Sequence, residues 1–353
     1  MERARTPREG VEIIGDLIAQ HGFATYGGNT HLIADPNEGW VVWEFAGGQG
    51  LWVAERLGAD DVGVLYPGGI GEIPTDLEND PDYLASDNFI AFAVGQGWYD
   101  PASGKPFNVQ HVYGDQSIRD YHDPGIKLMS PAAMEAATRA MAPVSEADLM
   151  ERVRDPRVVD DDSGYGQVVS LRSDLSDPDL IRVWNAPTGS VTAPFNVWWL
   201  GGQDVPMEYA QHRYLTKDSA STFLNPDYQM QEATRFAGRT FKRVMYYACS
   251  DPKRLLPPVT DMLSAFEAET MADLGWVERS AVTLIAQGDR DAARKLLTHY
   301  AGNRALAALD MGETMAEALD AYTRLIPGRT APAGSEINTF DPTVNCLADG
   351  DPD

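Results

Sequence analysis

Cysteine and lysine are scarce in this sequence, and long apolar runs are missing from it. The two cysteines, Cys249 and Cys346, lie far apart and form no paired motif, so the sequence predicts neither a disulfide scaffold nor a zinc finger. No stretch approaches the roughly 20 apolar residues that cross a bilayer, which argues against a membrane partner. The first ten residues are polar and lack the apolar core of a secretory signal, which favours a cytoplasmic location.

The charge of the chain is strongly one-sided. Asp and Glu total 53 against 28 Lys and Arg, which gives a formal net charge of −25. Because phosphate binding needs clustered positive charge, this balance argues against a nucleic-acid partner. Only six of the basic residues are lysine. Such scarcity fits either a salt-adapted acidic surface or, as the favoured interpretation, the codon bias of a GC-rich genome.

Within the first 70 residues, the spacing of apolar residues changes from that of a helix to that of β-strands. Thr6-Pro7-Arg8-Glu9 has the form of a capping box with proline at the first helical position, and it predicts a helix that ends near Gly22. Turn residues then separate four short β-rich runs, at 31–35, 39–45, 51–56 and 62–66. Their close spacing predicts an antiparallel meander rather than βαβ units.

The rest of the chain becomes increasingly helical. Helices are predicted near 86–96, 131–141 and 145–154, followed by strands at 167–171, 181–185 and 190–199. The remaining pattern is helical in four segments, at 228–249, 258–287, 290–308 and a last one to about 325. The sequence therefore predicts one α+β domain over 1–326 with a helical C-terminal half, and a flexible acidic tail over 327–353.

Familiar catalytic signatures do not stand out from the sequence. The glycine clusters at 47–50 and 68–71 lie between strands rather than before a helix, so tight turns are favoured over a phosphate cradle. His111 and His122, with three nearby aspartates, offer metal-ligand chemistry, but their stretch is loop-like and we favour no metal and no cofactor. Core packing is favoured over a pocket wall for the aromatic residues Trp43, Trp184, Phe195, Trp198 and Trp199.

A run of basic residues at helical spacing is the remaining candidate from composition alone. It consists of Arg235, Arg239, Lys242 and Arg243. Guanidinium groups can hold a substrate carboxylate in bidentate geometry. A solvated face paired with local acids is the favoured interpretation, because such surface ion pairs are common in folded proteins.

Several stretches, taken in chain order, resemble a known family. They are Gly27–Trp40, Trp52–Arg56, Ile70–Asp76, Ser86–Phe89, Gly97–Asp100, Arg182–Trp184, Gly189–Phe195 and Val205-Pro206. This order is similar to that of the cysteine-type dipeptidases (dipeptidase A, or PepD-like) of the N-terminal-nucleophile hydrolases. The resemblance covers about residues 5–325, and the segment from Ile33 to Trp40 is its most specific part.

The resemblance implies a fold and a chemistry. The fold is an αββα sandwich, in which two stacked antiparallel sheets lie between helix layers. The chemistry is hydrolysis of dipeptides or related small amides by a cysteine that becomes the first residue after processing. Its thiol attacks while its own α-amine, with a pKa near 7.7–8.0, accepts the proton, so the mechanism needs neither a histidine nor a metal.

This sequence departs from the family pattern at two places. The family's nucleophile precedes the segment that matches Thr6 to Gly22, whereas no cysteine lies before Cys249 here. We therefore expect the nucleophile to be absent from this chain as given, and the chain alone to be inactive. Where related hydrolases have an oxyanion-hole asparagine, the stretch 65–69 offers only a backbone N–H of Gly68 or Gly69.

The resemblance also implies where the substrate lies. Gly28, Asn29 and the turn with Tyr66, Gly68 and Gly69 are expected near a small peptide substrate, and Arg182 is the candidate to hold its carboxylate. The expected partner is then either another copy of this chain, in a homo-oligomer, or a companion chain that carries the nucleophile.

Two other hypotheses stay open beside the hydrolase. One is a non-catalytic homologue or partner subunit that binds such a substrate without cleaving it. The other is a metal-dependent hydrolase that uses His111 and His122, which predicts stoichiometric metal in the purified protein.

Overall fold

In the computed structural model, residues 3–23, 28–64, 70–77, 80–114, 131–159, 164–210, 235–326 and Cys346 are described. The chain divides into two units, Met1–Ala142 and Pro143–Asp353. All described strand pairs are antiparallel, and long helices fill the C-terminal unit, which confirms the predicted α+β class. Whether 1–326 acts as one domain stays a prediction. Within the described part of the chain, no helix combines the length and apolarity that crossing a bilayer requires.

The N-terminal unit begins with the helix that its sequence predicts. Helix α1 (Pro7–His21) starts at Thr6, whose hydroxyl accepts a hydrogen bond from the Glu9 amide at 3.1 Å. Its apolar face packs on the sheet, and a Cβ added at Gly15 would collide with the Trp52 ring. The N-cap at Thr6 and the helix end near Gly22 are confirmed. The capping box is only half formed, because the Glu9 carboxylate accepts a hydrogen bond from the Arg5 amide, at 2.7 Å.

The predicted meander forms the sheet of this unit. Strands β1 (Gly28–Ala34), β2 (Glu38–Phe45) and β3 (Trp52–Gly58) pair in sequence order. Between β2 and β3, Gly47, Gly48 and Gly50 adopt positive φ, which confirms a tight turn. The short strands β4 (Glu72–Ile73) and β6 (Phe107–Asn108) form a separate pair.

The fourth strand of the sheet is not the predicted one. Strand β5 (Tyr83–Ala85) pairs with β3, whereas residues 61–64 form no strand and 65–66 lie outside the described residues. The prediction at 62–66 is therefore wrong over its described part. A β-rich composition shows that a segment can join a sheet, but the partner strand decides whether it does.

The two faces of this sheet are covered by different helices. Trp40, Val42 and Trp52 pack with α1 on one face. On the other, Val41 and Phe45 pack with α2 (Phe89–Gly95) and α3 (Val109–Tyr113). Helix α4 (Pro131–Ala140) ends the unit. Glu44 lies near the end of β2 and, by strand alternation, on the same face as the apolar residues that pack with α1.

The C-terminal unit packs a small sheet against long helices. Helix α5 (Glu146–Arg154) has the capping box of Ser145 and Asp148, and it precedes strands β7 (Gly166–Val169), β8 (Arg182–Ala186) and β9 (Asn196–Trp199). The helices that follow are α6 (Met207–Ala210), α7 (Ala237–Ala248), α8 (Pro252–Ala286) and α9 (Arg290–Leu325). Trp184, Phe195 and Trp199 are buried between them, so the core interpretation of these aromatic residues is confirmed.

Two expectations for the C-terminal unit are wrong. The segment 290–325 is one helix rather than two, and Gly312 lies within it without interrupting it. This glycine permits close packing of two helices, because a Cβ at position 312 would lie 2.6 Å from the ring of Phe241. Cys249 and Cys346 form a disulfide, although the sequence predicted none. Distance along the chain did not exclude this pair, because folding brings their Cα atoms within 4.4 Å. Apart from Cys346, the predicted tail lies outside the described residues.

Candidate functional site

Gly28 lies at the start of β1, where two strands approach closely. A Cβ at this position would lie 2.6 Å from the backbone oxygen of Glu44 and 3.1 Å from the indole nitrogen of Trp43. No side chain fits against a backbone oxygen at that distance. The glycine is therefore required by the pairing of β1 with β2, whatever it contacts beyond the sheet.

Replacing Gly28 by alanine is expected to detach the first residues of β1 from β2 and to lower stability by about 1–3 kcal/mol, because the added methyl group overpacks this contact. Hydrogen exchange of the β1 and β2 amides measures the change. Gly71 is a matched control, since a Cβ there meets nothing within 4 Å. Unchanged protection of β1 in the Gly28 variant would contradict the close approach.

Asn29, His31 and Glu44 share one face of the sheet. Asn29 lies directly opposite Glu44 in the β1–β2 register, and directly opposed residues point to the same side. His31 Nδ1 lies 2.7 Å from Glu44 Oε1. The side chain of Glu44 is 2% exposed and that of His31 is 46% exposed. The predicted Asn29 thus lies beside a histidine–carboxylate pair that was not predicted.

Glu44 is unusual among the polar groups of this unit. Its second oxygen, Oε2, is buried and has no hydrogen-bond partner among the described residues. Burial raises the pKa of Glu44 to about 7, because a carboxylate loses its hydration in an apolar environment. The sequence held one signal for this residue: a glutamate at an inward position of the predicted strand 39–45, in register with Trp40 and Val42.

A cavity of about 470 Å³ opens on the same unit. The end of α1, the glycine turn between β2 and β3, and the segment before α2 surround it, with lining residues that include Ala19, Gln49, Trp52, Ser86 and Asn88. Trp52 lies directly opposite Glu44 in the β2–β3 register. The cavity therefore adjoins the face of the sheet that carries Glu44.

Arg182 lies in the C-terminal unit, and its guanidinium is already engaged. Nε and Nη2 each donate to the Glu146 carboxylate at 2.9 Å, and Nη1 donates to Glu278 at 2.5 Å. The side chain is 11% exposed. To hold a substrate carboxylate, Arg182 would first have to give up one of these ion pairs.

The other sequence candidates fall into three groups. Tyr66, Gly68 and Gly69 lie outside the described residues, as does His122 with the aspartates near it. His111 lies on α3, and the described residues contain no group of three acids, histidines or cysteines arranged to hold a metal ion. Arg235 donates to Glu313 at 2.7 Å, which supports the solvated basic face.

A buried ion pair lines a second cavity, of about 480 Å³, in the C-terminal unit. Arg154 Nη1 donates to Glu267 Oε2 at 3.1 Å, and Nη2 donates to Glu267 Oε1. The Phe195 amide also donates to Glu267 Oε1, at 2.8 Å. Burial raises the pKa of Glu267, and the Arg154 cation opposes this rise. Because each charge satisfies the other, the pair supports the fold more directly than it offers a reactive group.

Comparison with known proteins bears on the N-terminal unit. Residues 1–126 match the model of Peptidase family C69. The resemblance to the dipeptidases is thereby confirmed over this part of the chain. A relative described as a probable dipeptidase, from Salmonella dublin, is 32% identical over 117 residues. That alignment covers 33% of this chain and 26% of the relative, so the match spans about a quarter of the relative's length.

The matched region contains every strand of the four-stranded sheet, together with Gly28, Asn29, His31 and Glu44. It also contains the cavity beside α1. Arg182 and the second cavity lie beyond residue 126, where the resemblance stays a prediction. The confirmed part of the resemblance therefore lies within the N-terminal unit.

Proposed function

We propose that this chain takes part in the hydrolysis of dipeptides or related small amide bonds. The observation that carries the proposal is the match of residues 1–126 to Peptidase family C69, and the similarity to a probable dipeptidase supports it. In this proposal the fold is the αββα sandwich of the N-terminal-nucleophile hydrolases. In the same proposal, Gly28, Asn29, Tyr66, Gly68 and Gly69 contact the substrate.

The cavity beside α1 is a second proposed part of the substrate site, because its described lining does not include Gly28 or Asn29. Its volume of about 470 Å³ lies within the usual range for small-molecule sites, about 300–1,000 Å³. Backbone groups of the glycine turn and the side chains of Ser86 and Asn88 offer hydrogen bonds that suit a peptide. The site lies wholly within the unit that matches the family.

The proposed nucleophile is a cysteine that this sequence does not supply. A cysteine hydrolase attacks with a thiolate. Cys249 and Cys346 are both buried, and they form a disulfide with each other. A companion chain that carries an N-terminal cysteine would complete the reaction, because its thiol attacks while its own amine accepts the proton.

A second candidate function is binding without cleavage. The same disulfide favours it, because it leaves the two cysteines of this sequence without a thiol. A homologue or partner subunit that keeps the substrate cavity would then present dipeptides or regulate a catalytic chain.

Both functions predict that the purified chain binds dipeptides without cleaving them, so the coding sequence upstream of Met1 is what distinguishes them. We expect a panel of dipeptides at about 1 mM, a usual upper value for an enzyme's KM, to bind in calorimetry without release of free amino acids. An in-frame cysteine codon upstream of Met1, followed by strand-forming residues, would favour the hydrolase. A stop codon there would favour the binding function.

Two results would contradict the proposal. Hydrolysis by the purified chain that survives iodoacetamide would exclude a cysteine mechanism. Absence of both binding and hydrolysis across the panel, in the presence of a natural partner chain, would remove dipeptides as the substrate class.

A further inference from the structure

The second cavity, of about 480 Å³, lies within the C-terminal unit and beyond the part of the chain that matches the family. Helix α5 with the two residues after it, together with helix α8, supplies all but one of its described lining residues. Its volume is within the usual range for small-molecule sites, about 300–1,000 Å³. The proposed function makes no use of this cavity.

Part of the lining is apolar and adaptable. Met150, Val191, Leu256 and Met271 contribute side chains to it. Methionine is unbranched and polarisable, so it fits apolar groups of different shapes and is common at surfaces that bind varied ligands. This part of the cavity suits a hydrocarbon chain.

The charged part of the lining has an excess of carboxylates. Glu151, Asp155 and Glu267 lie there with a single cation, Arg154. Arg154 is paired with Glu267, and Asp155 accepts a hydrogen bond from Arg157 at 2.8 Å. Glu151 is exposed and has no partner among the described residues. The unpaired charge of the lining is therefore negative, which favours a cationic ligand.

The end of α5 has the same preference. Glu151 belongs to the last turn of this helix, which ends at Arg154. The carbonyl groups at a helix C-terminus carry a partial negative charge of roughly half an electron. The helix end and the Glu151 carboxylate thus favour a ligand ammonium group at the same place.

The buried ion pair leaves hydrogen-bonding capacity for a ligand oxygen. Nη1 of Arg154 donates once, to Glu267 Oε2 at 3.1 Å, and its second N–H has no acceptor among the described residues. Glu267 Oε2 accepts that single hydrogen bond, so it can accept another. A hydroxyl group, which both accepts and donates, matches these two atoms.

We propose that the second cavity is a binding site for a small hydrophobic amine, which has an ammonium group, an apolar side chain and an oxygen on the neighbouring carbon. Glu151 pairs with the ammonium group, Met150 and Met271 contact the side chain, and the Arg154–Glu267 pair holds the oxygen. These three groups are the chemistry of the amino end of a hydrophobic amino-acid unit. The site is independent of the proposed function, because binding here involves no hydrolysis.

Leucinol is the probe, since it combines the three groups and contains no amide bond. Its titration into the full chain, with isotope-labelled methionine methyl groups, is expected to shift the NMR signals of Met150 and Met271. Met262 is the internal reference, because it lies on α8 outside the described lining and is 44% exposed. Equal shifts at all three methionines would show non-specific binding and overturn the site.

Two simpler ligands separate the contributions of charge and side chain. Isohexanol, which is leucinol without its amino group, is expected to bind about fivefold more weakly, because it lacks the cation that pairs with Glu151. Ethanolamine lacks the apolar side chain and is expected to bind about tenfold more weakly than leucinol. Isohexanol that bound as tightly as leucinol would overturn the recognition of an amine.

Substitution of the carboxylate tests the same pairing from the side of the protein. Glu151→Gln is expected to weaken leucinol about fivefold and to leave isohexanol unchanged, a difference that a purely structural role would not produce. Glu317→Gln is the matched control, because Glu317 is an exposed glutamate on α9, outside the described lining. Equal effects of the two variants on leucinol would overturn the role of Glu151.

Filling the cavity tests its location. Ala268 is exposed on α8 and lines the cavity, so Ala268→Trp is expected to abolish the leucinol-dependent shifts. Ala265→Trp is the matched control, because Ala265 is exposed on the same helix but lies outside the described lining. Leucinol binding that survived Ala268→Trp would place the site elsewhere.

A segment of the chain itself is the rival occupant. Val191 belongs to the apolar cluster of Cys249 and Cys346, Leu256 packs against that cluster, and both line the cavity. Leucinol binding that appeared only after both cysteines were replaced by alanine would assign the cavity to the segment next to Cys346. That result would overturn a site open to small ligands, as would the absence of leucinol binding in every form of the protein.

Discussion

Replacing Arg154 by methionine is expected to lower the free energy of unfolding of the C-terminal unit by about 3–5 kcal/mol. The substitution leaves Glu267 buried without its cation, and among the described residues the Phe195 amide is the remaining hydrogen-bond donor to its carboxylate. It also removes the hydrogen bond from Arg154 Nε to the Ser190 oxygen, at 3.1 Å. Urea denaturation followed by hydrogen exchange of α5 and α8 peptides measures the loss in this unit.

The pH dependence of the variant gives a second check on its cause. Burial raises the pKa of Glu267 in the folded protein, and loss of Arg154 removes the charge that opposes this rise. A carboxyl whose pKa is raised on folding contributes stability at low pH and loses it as the pH rises through the folded value. The stability lost in Arg154→Met should therefore be larger at pH 8 than at pH 5.

The double variant Arg154→Met with Glu267→Leu distinguishes a broken ion pair from a broken core. Replacing both members of a buried pair by apolar residues is often neutral, so we expect most of the lost stability to return. Lys295→Met is the control, because Lys295 pairs with Asp291 on the surface, where both side chains are exposed, and its loss should have little effect. A double variant as unstable as Arg154→Met would show that packing, rather than charge, explains the loss.

Elements defined by local chemistry were predictable from the sequence. The N-cap residue Thr6 begins α1, and the turn residues between the first three strands separate segments that pair with their neighbours along the chain. Such contacts span few residues, so composition and period contain most of the information. The same holds for Ser145 and Asp148 at the start of α5.

Elements defined by distant partners were not predictable. The sheet gains β5 because Ala85 pairs with Val53, and no local pattern distinguishes that segment from residues 62–64. Arg182 carried the chemistry of a substrate clamp, but the carboxylates it bonds, Glu146 and Glu278, lie 36 and 96 residues away. Whether a charge is free or paired is decided by tertiary structure.

The candidate site shows the same division. Gly28 and Asn29 were found through a sequence resemblance, and their strand position agrees with the predicted run that follows them. Glu44 and His31 were missed, since neither belongs to a known motif. An acidic residue at an inward strand position breaks the alternation of apolar and polar residues that a half-buried strand requires. That break in the pattern of residues 39–45 is visible in the amino-acid sequence, and it is the local signal that distinguishes Glu44.

Replacing both Cys249 and Cys346 by alanine is expected to lower the free energy of unfolding of the C-terminal unit by about 2–4 kcal/mol. The disulfide joins residues separated by 97 positions, so it removes a large part of the chain entropy of the unfolded state. Both residues also lie in an apolar cluster with Val159, Val191 and Met245. Alanine keeps that cluster apolar, whereas serine would add an unsatisfied hydroxyl group.

Reduction of the unchanged protein should reproduce this loss. A phosphine reductant is expected to destabilise the wild type by a similar amount and to leave the alanine variant unaffected, since that variant has no disulfide to break. Alkylation by iodoacetamide in denaturant should label the wild type only after reduction. Labelling before reduction would show free thiols and return Cys249 and Cys346 to the set of candidate nucleophiles. Without such labelling, the proposed cysteine mechanism depends on a thiol from another chain or segment.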